Sequence, residues 1–242
     1  MRYEVKGNQV SYGEAIGIIA IENYVPYVPG DVANASSYNF PVRFERLPGS
    51  TPDRLFAHDE SLVDAAIEVG QKLANEGVRA ITGDCGFLAA YQDRIADAVD
   101  VPVFLSSLLQ LDFIDRIVGP GGKTAVITAN SEALDGTVLD VISSVPESRL
   151  VIAGLEDKPE FVSAVFEEKG SLDTGLVESE VLEAARSVSA HAGVRAILLE
   201  CSLLPPYAAA VQGEIGIPVF DYYTMINYVY SAVVRHRFDG FM

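Results

Sequence analysis

The chain has 242 residues, of which 17 are basic and 34 are acidic, so its net charge at pH 7 is −17. A surface this acidic repels phosphate groups, which argues against nucleic acid and anionic membranes as partners. Hydrophobic residues make up 49% of the chain. That is enough for a full core, and the chain is long enough for one large α/β domain or two smaller ones. No apolar run reaches the roughly 20 residues of a membrane-spanning helix.

Strands and helices alternate along the first half. The continuous apolar run at residues 16–21 predicts a strand that is buried on both faces of a parallel sheet. Apolar residues at helical spacing predict a helix over residues 61–76, which ends at Gly77. Further strands are predicted at 41–47, 79–83 and 102–105, and a further helix at 88–99. This alternation predicts a parallel sheet with right-handed crossovers.

The loop after the first strand, residues 22–38, carries several polar and aromatic side chains. Loops that leave the carboxyl ends of parallel strands often hold ligand contacts. Tyr24, Tyr27, Asp31 and Asn34 are therefore candidates for such contacts. The alternative interpretation of each is turn chemistry and packing.

The second half repeats the pattern. Its predicted strands are 123–128, 149–154, 194–199 and 217–220, and its predicted helices are 111–118, 131–143, 177–191, 205–214 and 222–236. We predict a first α/β domain over residues 1–112 and a second over 113–221. Residues 222–242, which include the terminal helix, are expected to pack back on the first domain.

An internal repeat relates the halves. Residues 77–106 align with residues 193–222 without a gap, and 11 of the 30 pairs are identical. The chain contains two cysteines, Cys85 and Cys201, and the alignment matches them to each other. We therefore expect two related halves, each presenting one thiol at an equivalent point of a shared cleft.

Each cysteine lies where a predicted strand gives way to a helix. Amide groups at a helix N-terminus favour negative charge, so a lowered thiol pKa is expected there. Two thiols facing one ligand could remove a proton from carbon on one side and donate a proton on the other, without a cofactor. Simple packing or a disulfide are the alternatives. The three histidines lack the spacing of a metal site, and Asp84 and Glu200 are interpreted as structural because neighbouring side chains along a strand point to opposite faces.

These features resemble the aspartate/glutamate racemase superfamily. It includes amino-acid and hydantoin racemases, maleate isomerase, arylmalonate decarboxylase and the algal dimethylsulfoniopropionate lyases. The resemblance covers essentially the whole chain and implies two pseudosymmetric, doubly wound parallel-sheet domains with the active site in the cleft between them. It also implies that Cys85 and Cys201 are the acid and the base. The residues that it implies for substrate contact are Gly86, Ser202, Thr128, Asn130 and, less directly, Ser106 and Ser107.

The motifs depart from those of typical amino-acid racemases. Cys85-Gly86-Phe87 stands where those enzymes have Cys-Asn-Thr, and Cys201-Ser202-Leu203 stands where they have Cys-Thr-His. Phe87 and Leu203 make this wall of the predicted site more apolar. The patterns Asp-Cys-Gly-Phe and Glu-Cys-x-x-x-Pro-Pro-Tyr look closer to the branch of the lyases.

Three functions follow as hypotheses. The first is a cofactor-independent racemase or isomerase that acts on a small carboxylate. The second is a lyase that performs β-elimination on a substrate such as dimethylsulfoniopropionate, with aromatic rings around the sulfonium cation. The third is a binding module without catalysis. For the lyase, the aromatic rings around the cation would come from Tyr24, Tyr27, Tyr222 and Tyr223. We further expect a cytoplasmic homo-oligomer that binds no metal, no nucleic acid and no membrane.

Overall fold

Two parallel β-sheets form the framework of the molecule, which a computed structural model describes for residues 2–5, 7 and 9–242. The first sheet has the strand order β2-β1-β3 and the second has the order β5-β4-β6-β7. The strands are β1 (Ile16–Ala20), β2 (Val42–Arg46), β3 (Ala80–Gly83), β4 (Lys123–Thr128), β5 (Leu150–Gly154), β6 (Val194–Leu199) and β7 (Val219–Phe220). Each pair of neighbouring strands is parallel.

The internal repeat of the sequence is also a repeat of sheet geometry. Ile81 of β3 pairs with Val103, and Ile197 of β6 pairs with Val219, which are the aligned positions. The amide of Ile81 donates to Pro102 O over 2.9 Å, and the amide of Ile197 donates to Pro218 O over 2.9 Å. The predicted fold class is confirmed: two pseudosymmetric α/β halves are each built on a parallel sheet.

The predicted strand at 102–105 is the main difference between the halves. It is reduced to an isolated bridge at Val103, whereas its counterpart β7 is a short strand. The ladder stops at Phe104, because its carbonyl oxygen, which would accept the next ladder bond, accepts the Thr82 hydroxyl over 2.7 Å. Polar side chains that bind backbone groups compete with regular pairing in this way.

The helices mostly follow the predictions, with shifted ends. They are α1 (Pro52–Phe56), α2 (Val63–Asn75), α3 (Gln92–Ala96), α4 (Leu111–Val118), α5 (Gly136–Ile142), α6 (Pro159–Phe161), α7 (Thr174–Ser189), α8 (Ala208–Ile215) and α9 (Tyr222–Val233). The predicted helix at 88–99 is wrong in type over its first turns, since Gly86–Tyr91 is a 3-10 helix. The predicted start of α5 is also wrong, because Asn130 accepts the amides of Glu132 and Ala133 and holds them in a turn.

The terminal helix α9 lies against the first sheet. Its buried residues Tyr222, Met225 and Ile226 belong to one apolar cluster with Ile16 and Ile18 of β1. The Tyr222 hydroxyl donates to Leu105 O over 2.9 Å. The helix begins with a capping box between Asp221 and Thr224. The domain boundary at residues 112 and 113 stays a prediction; α4, which contains it, contacts β4 and β6 of the second sheet.

Among the helices of the described residues, none combines the length and the hydrophobicity of a membrane-spanning helix.

Candidate active site

Both cysteines line one cavity between the two sheets. Cys85 follows β3 and begins the 3-10 helix Gly86–Tyr91, and Cys201 follows β6. Both are free thiols; Cys85 is half-buried and Cys201 is buried. The volume open to the centres of water molecules is about 30 Å³, and one water needs on the order of 10–15 Å³ by this measure. The site is therefore narrow and suited to a small molecule.

Hydrogen bonds between the halves hold the two cysteine turns together. The Ser107 hydroxyl lies 3.2 Å from Leu199 O and 3.1 Å from Glu200 O, both in the second half. In return, the Ser202 hydroxyl donates to Asp84 O in the first half. These groups are buried, where a hydrogen bond is costly to lose. These contacts between the halves form the seam between the two sheets. They thus fix the position of the two thiols relative to each other.

Two buried acids, Asp84 and Glu200, also line this cavity. They precede the cysteines at matched positions of the repeat. Asp84 Oδ1 accepts the amide of Ile21 over 2.9 Å, and Glu200 Oε2 accepts the Thr128 hydroxyl over 2.7 Å. The other oxygen of each, Asp84 Oδ2 and Glu200 Oε1, is buried and has no hydrogen-bond partner among the described residues. The interpretation of both acids as merely structural missed their position at the cavity. The sequence signal for that position was their shared register beside the cysteines.

Burial changes the acidity of both carboxyl groups. Loss of hydration raises the pKa of Asp84 to about 7, although the amide of Ile21 acts in the opposite direction. It raises the pKa of Glu200 to about 7 as well, against the opposing hydrogen bonds from Thr128 and the amide of Ala129. Each acid therefore changes its charge near neutral pH, in contact with the cavity.

The thiols behave differently from the sequence expectation. Burial first, and the charge of Glu200 second, raise the pKa of Cys85 and of Cys201. The amides of Phe87 and Leu88 lower the pKa of Cys85, as expected at a helix start, but their effect is smaller. The predicted lowering of the thiol pKa is wrong, because desolvation of a buried thiolate outweighs a short 3-10 helix terminus.

The predicted contact residues divide into two groups. Gly86, Phe87 and Ser202 line the cavity. Phe87 meets Phe56 edge to face, with ring centroids 4.8 Å apart. Three further predicted contact residues, Thr128, Ser107 and Asn130, are not among the lining residues. The Thr128 hydroxyl donates to Glu200 Oε2, and the Ser107 hydroxyl lies within hydrogen-bond distance of Glu200 O. Asn130 accepts an amide of its own turn. A direct substrate contact from these three stays a prediction.

The aromatic lining differs from the one expected. Among the four tyrosines named for the lyase hypothesis, Tyr27 lines the cavity. Tyr24 is 65% exposed, and its hydroxyl accepts Arg46 over 3.3 Å. Tyr222, the first residue of α9, is buried and is not among the lining residues. Two rings that the sequence analysis did not name, Phe56 and Phe166, stand in the lining with their centroids 5.8 Å apart. One comes from each half, so only the tertiary contact reveals them.

Comparison with known proteins shows to which family the chain belongs. No family model matches the sequence. The chain is 31% identical over 231 residues to dimethylsulfoniopropionate lyase 3 of Emiliania huxleyi, covering 91% of this chain and 60% of that protein. It is 31% identical over 238 residues to lyase 7 of the same alga, covering 91% and 67%, and 30% identical over 218 residues to the lyase of a Durusdinium species, covering 86% and 71%.

The chain belongs to the dimethylsulfoniopropionate lyase family. It spans about 60% of the length of the first two algal lyases that it matches. Among solved structures it is similar to arylmalonate decarboxylase, with 15% identity, a TM-score of 0.56 and coverage of 90% of this chain and 91% of that one. It is also similar to allantoin racemase of Pseudomonas fluorescens, with 13% identity, a TM-score of 0.57 and coverage of 91% of both chains. These likenesses confirm the fold of the aspartate/glutamate racemase superfamily.

Proposed function

We propose that the chain is a lyase that performs β-elimination on a small carboxylate with a cationic leaving group, of which dimethylsulfoniopropionate is the example that its relatives name. The observation that carries this proposal is the composition of the cavity around the two thiols. Asp84 and Glu200 contribute acidic groups, and Tyr27, Phe56 and Phe166 contribute rings. Aromatic faces and carboxylates both attract an onium cation.

The same lining disfavours dicarboxylate amino acids as substrates. In the part of the chain that the structure describes, the lining includes no lysine, arginine or histidine. A second substrate carboxylate beside Asp84 and Glu200 would meet like charge in a desolvated space. A zwitterion with one carboxylate and one sulfonium group leaves the cavity less charged than a dicarboxylate does.

The chemistry balances without a cofactor. A cysteine thiolate takes the proton from the carbon α to the carboxylate. The electron pair of that C–H bond forms the C=C bond, and the β C–S bond breaks. Dimethyl sulfide leaves with the C–S electron pair, acrylate remains, and the proton stays on the thiol. Removal of a general base of this kind costs about 10²–10⁴-fold in rate.

The test is to incubate the purified protein with dimethylsulfoniopropionate and to measure dimethyl sulfide in the headspace and acrylate by NMR. We expect both products in equal amounts, and a loss of about 10²–10⁴-fold in Cys85→Ser. Cys201→Ser is assayed beside it, since unequal losses are expected when one thiolate removes the proton. Absence of both products in the wild-type protein would refute the proposal.

Racemisation is the second candidate, favoured by the arrival of two thiols from equivalent turns at one cavity. Two bases on opposite faces of one carbon are what a cofactor-independent racemase requires. A racemase would exchange the α-hydrogen of a chiral carboxylate with deuterium from the solvent and would not consume the substrate. A panel of small carboxylates in deuterated buffer separates the two reactions. A protein that does neither would be a binding module.

A further inference from the structure

Glu200 belongs to the second half, but its carboxyl group lies against the turn that carries Cys85. A Cβ atom added to Gly86 would stand 1.5 Å from Glu200 Oε1 and 2.4 Å from Glu200 Cδ. Glycine is therefore what leaves room for this carboxyl group beside the residue that follows Cys85. The closeness arises from tertiary structure alone, because the two residues are far apart in the chain.

The two oxygens of Glu200 have different surroundings. Oε2 accepts the Thr128 hydroxyl over 2.7 Å, while Oε1 is buried and no described residue donates a hydrogen bond to it. A buried carboxylate oxygen without a partner is costly, and such groups in native proteins call for an explanation. Oε1 is thus a free proton acceptor on the wall of the cavity.

The mechanism needs such an acceptor. The reaction begins with a thiolate, yet burial and the charge of Glu200 both oppose ionisation of Cys85. Release of the thiol proton to solvent would add a negative charge to a cavity that already holds acids, which is unfavourable in a medium of low dielectric constant. Transfer of the proton within the cavity creates the thiolate without changing the total charge there.

We propose that Glu200 takes the thiol proton of Cys85 and so forms, inside the cavity, the thiolate that begins the elimination. The inference rests on the proposed function. The S–H bond of Cys85 breaks, an O–H bond forms on Glu200 Oε1, and the electron pair stays on sulfur. The thiolate then takes the α-proton of the substrate. After the products leave, Glu200 returns its proton to solvent. In this step Glu200 acts through Cys85 and is a positioning residue.

The cavity has space for this transfer. Its open volume of about 30 Å³ is enough for about two waters at 10–15 Å³ each, so a water between the thiol and Oε1 is able to carry the proton. Several other titratable groups interact electrostatically with Cys85 or Cys201 from the surrounding elements; they are Asp84, Asp31, Tyr27, Tyr91 and Tyr222. Among the charges that act on Cys85, Glu200 has a larger effect than Asp84.

Asp84 provides a matched comparison. It is the repeat partner of Glu200, it is equally buried, and it also has one oxygen without a partner. Asp84 directly precedes Cys85 in the chain, but its charge has a smaller effect on Cys85 than that of Glu200. If Glu200 influenced Cys85 by its charge alone, Asp84→Asn and Glu200→Gln would act in the same direction. Both would then make the thiol easier to ionise.

The experiment measures alkylation of Cys85 by iodoacetamide, followed by intact mass, in a Cys201→Ser background that leaves Cys85 as the sole thiol. A thiol and an acid that share one proton titrate as a pair. The alkylation rate should therefore rise to about pH 7 and then level off towards about pH 9. With Glu200→Gln, the thiolate forms by loss of a proton to solvent, and the rate should rise about tenfold per pH unit over the same range.

The comparison uses the shape of the profile, so differences in reagent access between variants do not affect it. Asp84→Asn should keep the level region, and Glu200→Asp should keep it at a lower rate because the shorter side chain withdraws from Gly86. A tenfold rise per pH unit in the parent protein would overturn the proposal, as would faster alkylation at about pH 7.5 in Glu200→Gln. The assay contains no substrate, so a failure of the lyase assay and a failure of this inference are separate results.

Discussion

At the scale of single residues, the site combines two thiols that the sequence assigned to it with two acids that the sequence led us to interpret as structural. Cys85 and Cys201 attract notice because they are the two cysteines of the chain and lie in register. Asp84 and Glu200 lie in the same register, but acids are common in a chain with 34 of them. Only the burial of their carboxyl groups at the cavity shows that they differ from the rest.

The first prediction concerns Gly86. In Gly86→Ala the new methyl group would overlap Glu200 Oε1 and stand 3.1 Å from Glu200 O, so either the acid or the cysteine turn must move. A displacement of about 1 Å at a reacting group costs on the order of 10²-fold in rate. We expect dimethyl sulfide release to fall by that factor.

Gly213→Ala is the control for this substitution. Gly213 lies in α8, with no neighbouring atom within 4 Å of an added Cβ. This change should leave activity intact and stabilise the protein by about 0.4–1 kcal/mol. Retention of full activity in Gly86→Ala would show that the contact with Glu200 is unimportant.

At the scale of elements, α9 connects the end of the chain to its first sheet. Beyond the apolar contacts of Tyr222, Met225 and Ile226, two polar links secure it. Gln110 Nε2 donates to Asp221 O over 2.9 Å at the start of the helix, and Arg79 donates to Val233 O over 2.9 Å at its end. The helix is held along its length, which explains why an element at the end of the sequence belongs to the core of the first half.

The second prediction tests this attachment. Ile226 is fully buried in α9, whereas Tyr228 of the same helix is 78% exposed. Ile226→Ala should lower the free energy of unfolding by about 2–5 kcal/mol, from lost burial and the cavity left behind. Tyr228→Ala should change it by less than about 0.5 kcal/mol. Urea denaturation of both variants measures the difference, and equal values would contradict the packing of α9 described above.

At the scale of the whole molecule, the two halves meet at a seam that contains buried acids. Burial raises the pKa of Asp84 and of Glu200 to about 7 from ordinary values of 3.8 and 4.5. Below about pH 4 both groups are protonated in the native and the unfolded chain, and they do not affect stability. Between about pH 4 and pH 7 the unfolded chain loses these protons first, so unfolding becomes more favourable as the pH rises.

The third prediction follows from this sign. Each of these acids lowers the stability at pH 8 relative to pH 5, by on the order of 2 kcal/mol. In the double variant Asp84→Asn/Glu200→Gln, the loss of stability between these two pH values should shrink accordingly. The measurement is urea denaturation at both pH values. Glu132→Gln, which removes an exposed carboxyl group, should leave the difference unchanged; an unchanged difference in the double variant would show that the buried acids titrate normally.

The sequence by itself determined the class of fold, the repeat and the position of the two thiols. Strand positions such as β6 could be predicted because a buried parallel strand must be a short apolar run, and this property is local. The pairing of Cys85 with Cys201 could be predicted because duplication leaves identical residues in register. Helix ends were predicted less well, since side chains such as Asn130 bind nearby amides and delay the start of a helix.

Only the tertiary structure decided what surrounds the thiols. Phe56 and Phe166 meet from different halves, and Glu200 reaches Gly86 across the seam. No local pattern encodes such contacts. The acidity of the thiols was also decided there, because burial depends on the whole assembly of elements while the helix-terminus effect depends only on adjacent residues. Where the two effects opposed each other at Cys85, the loss of hydration was larger, so the local argument alone predicted the wrong direction.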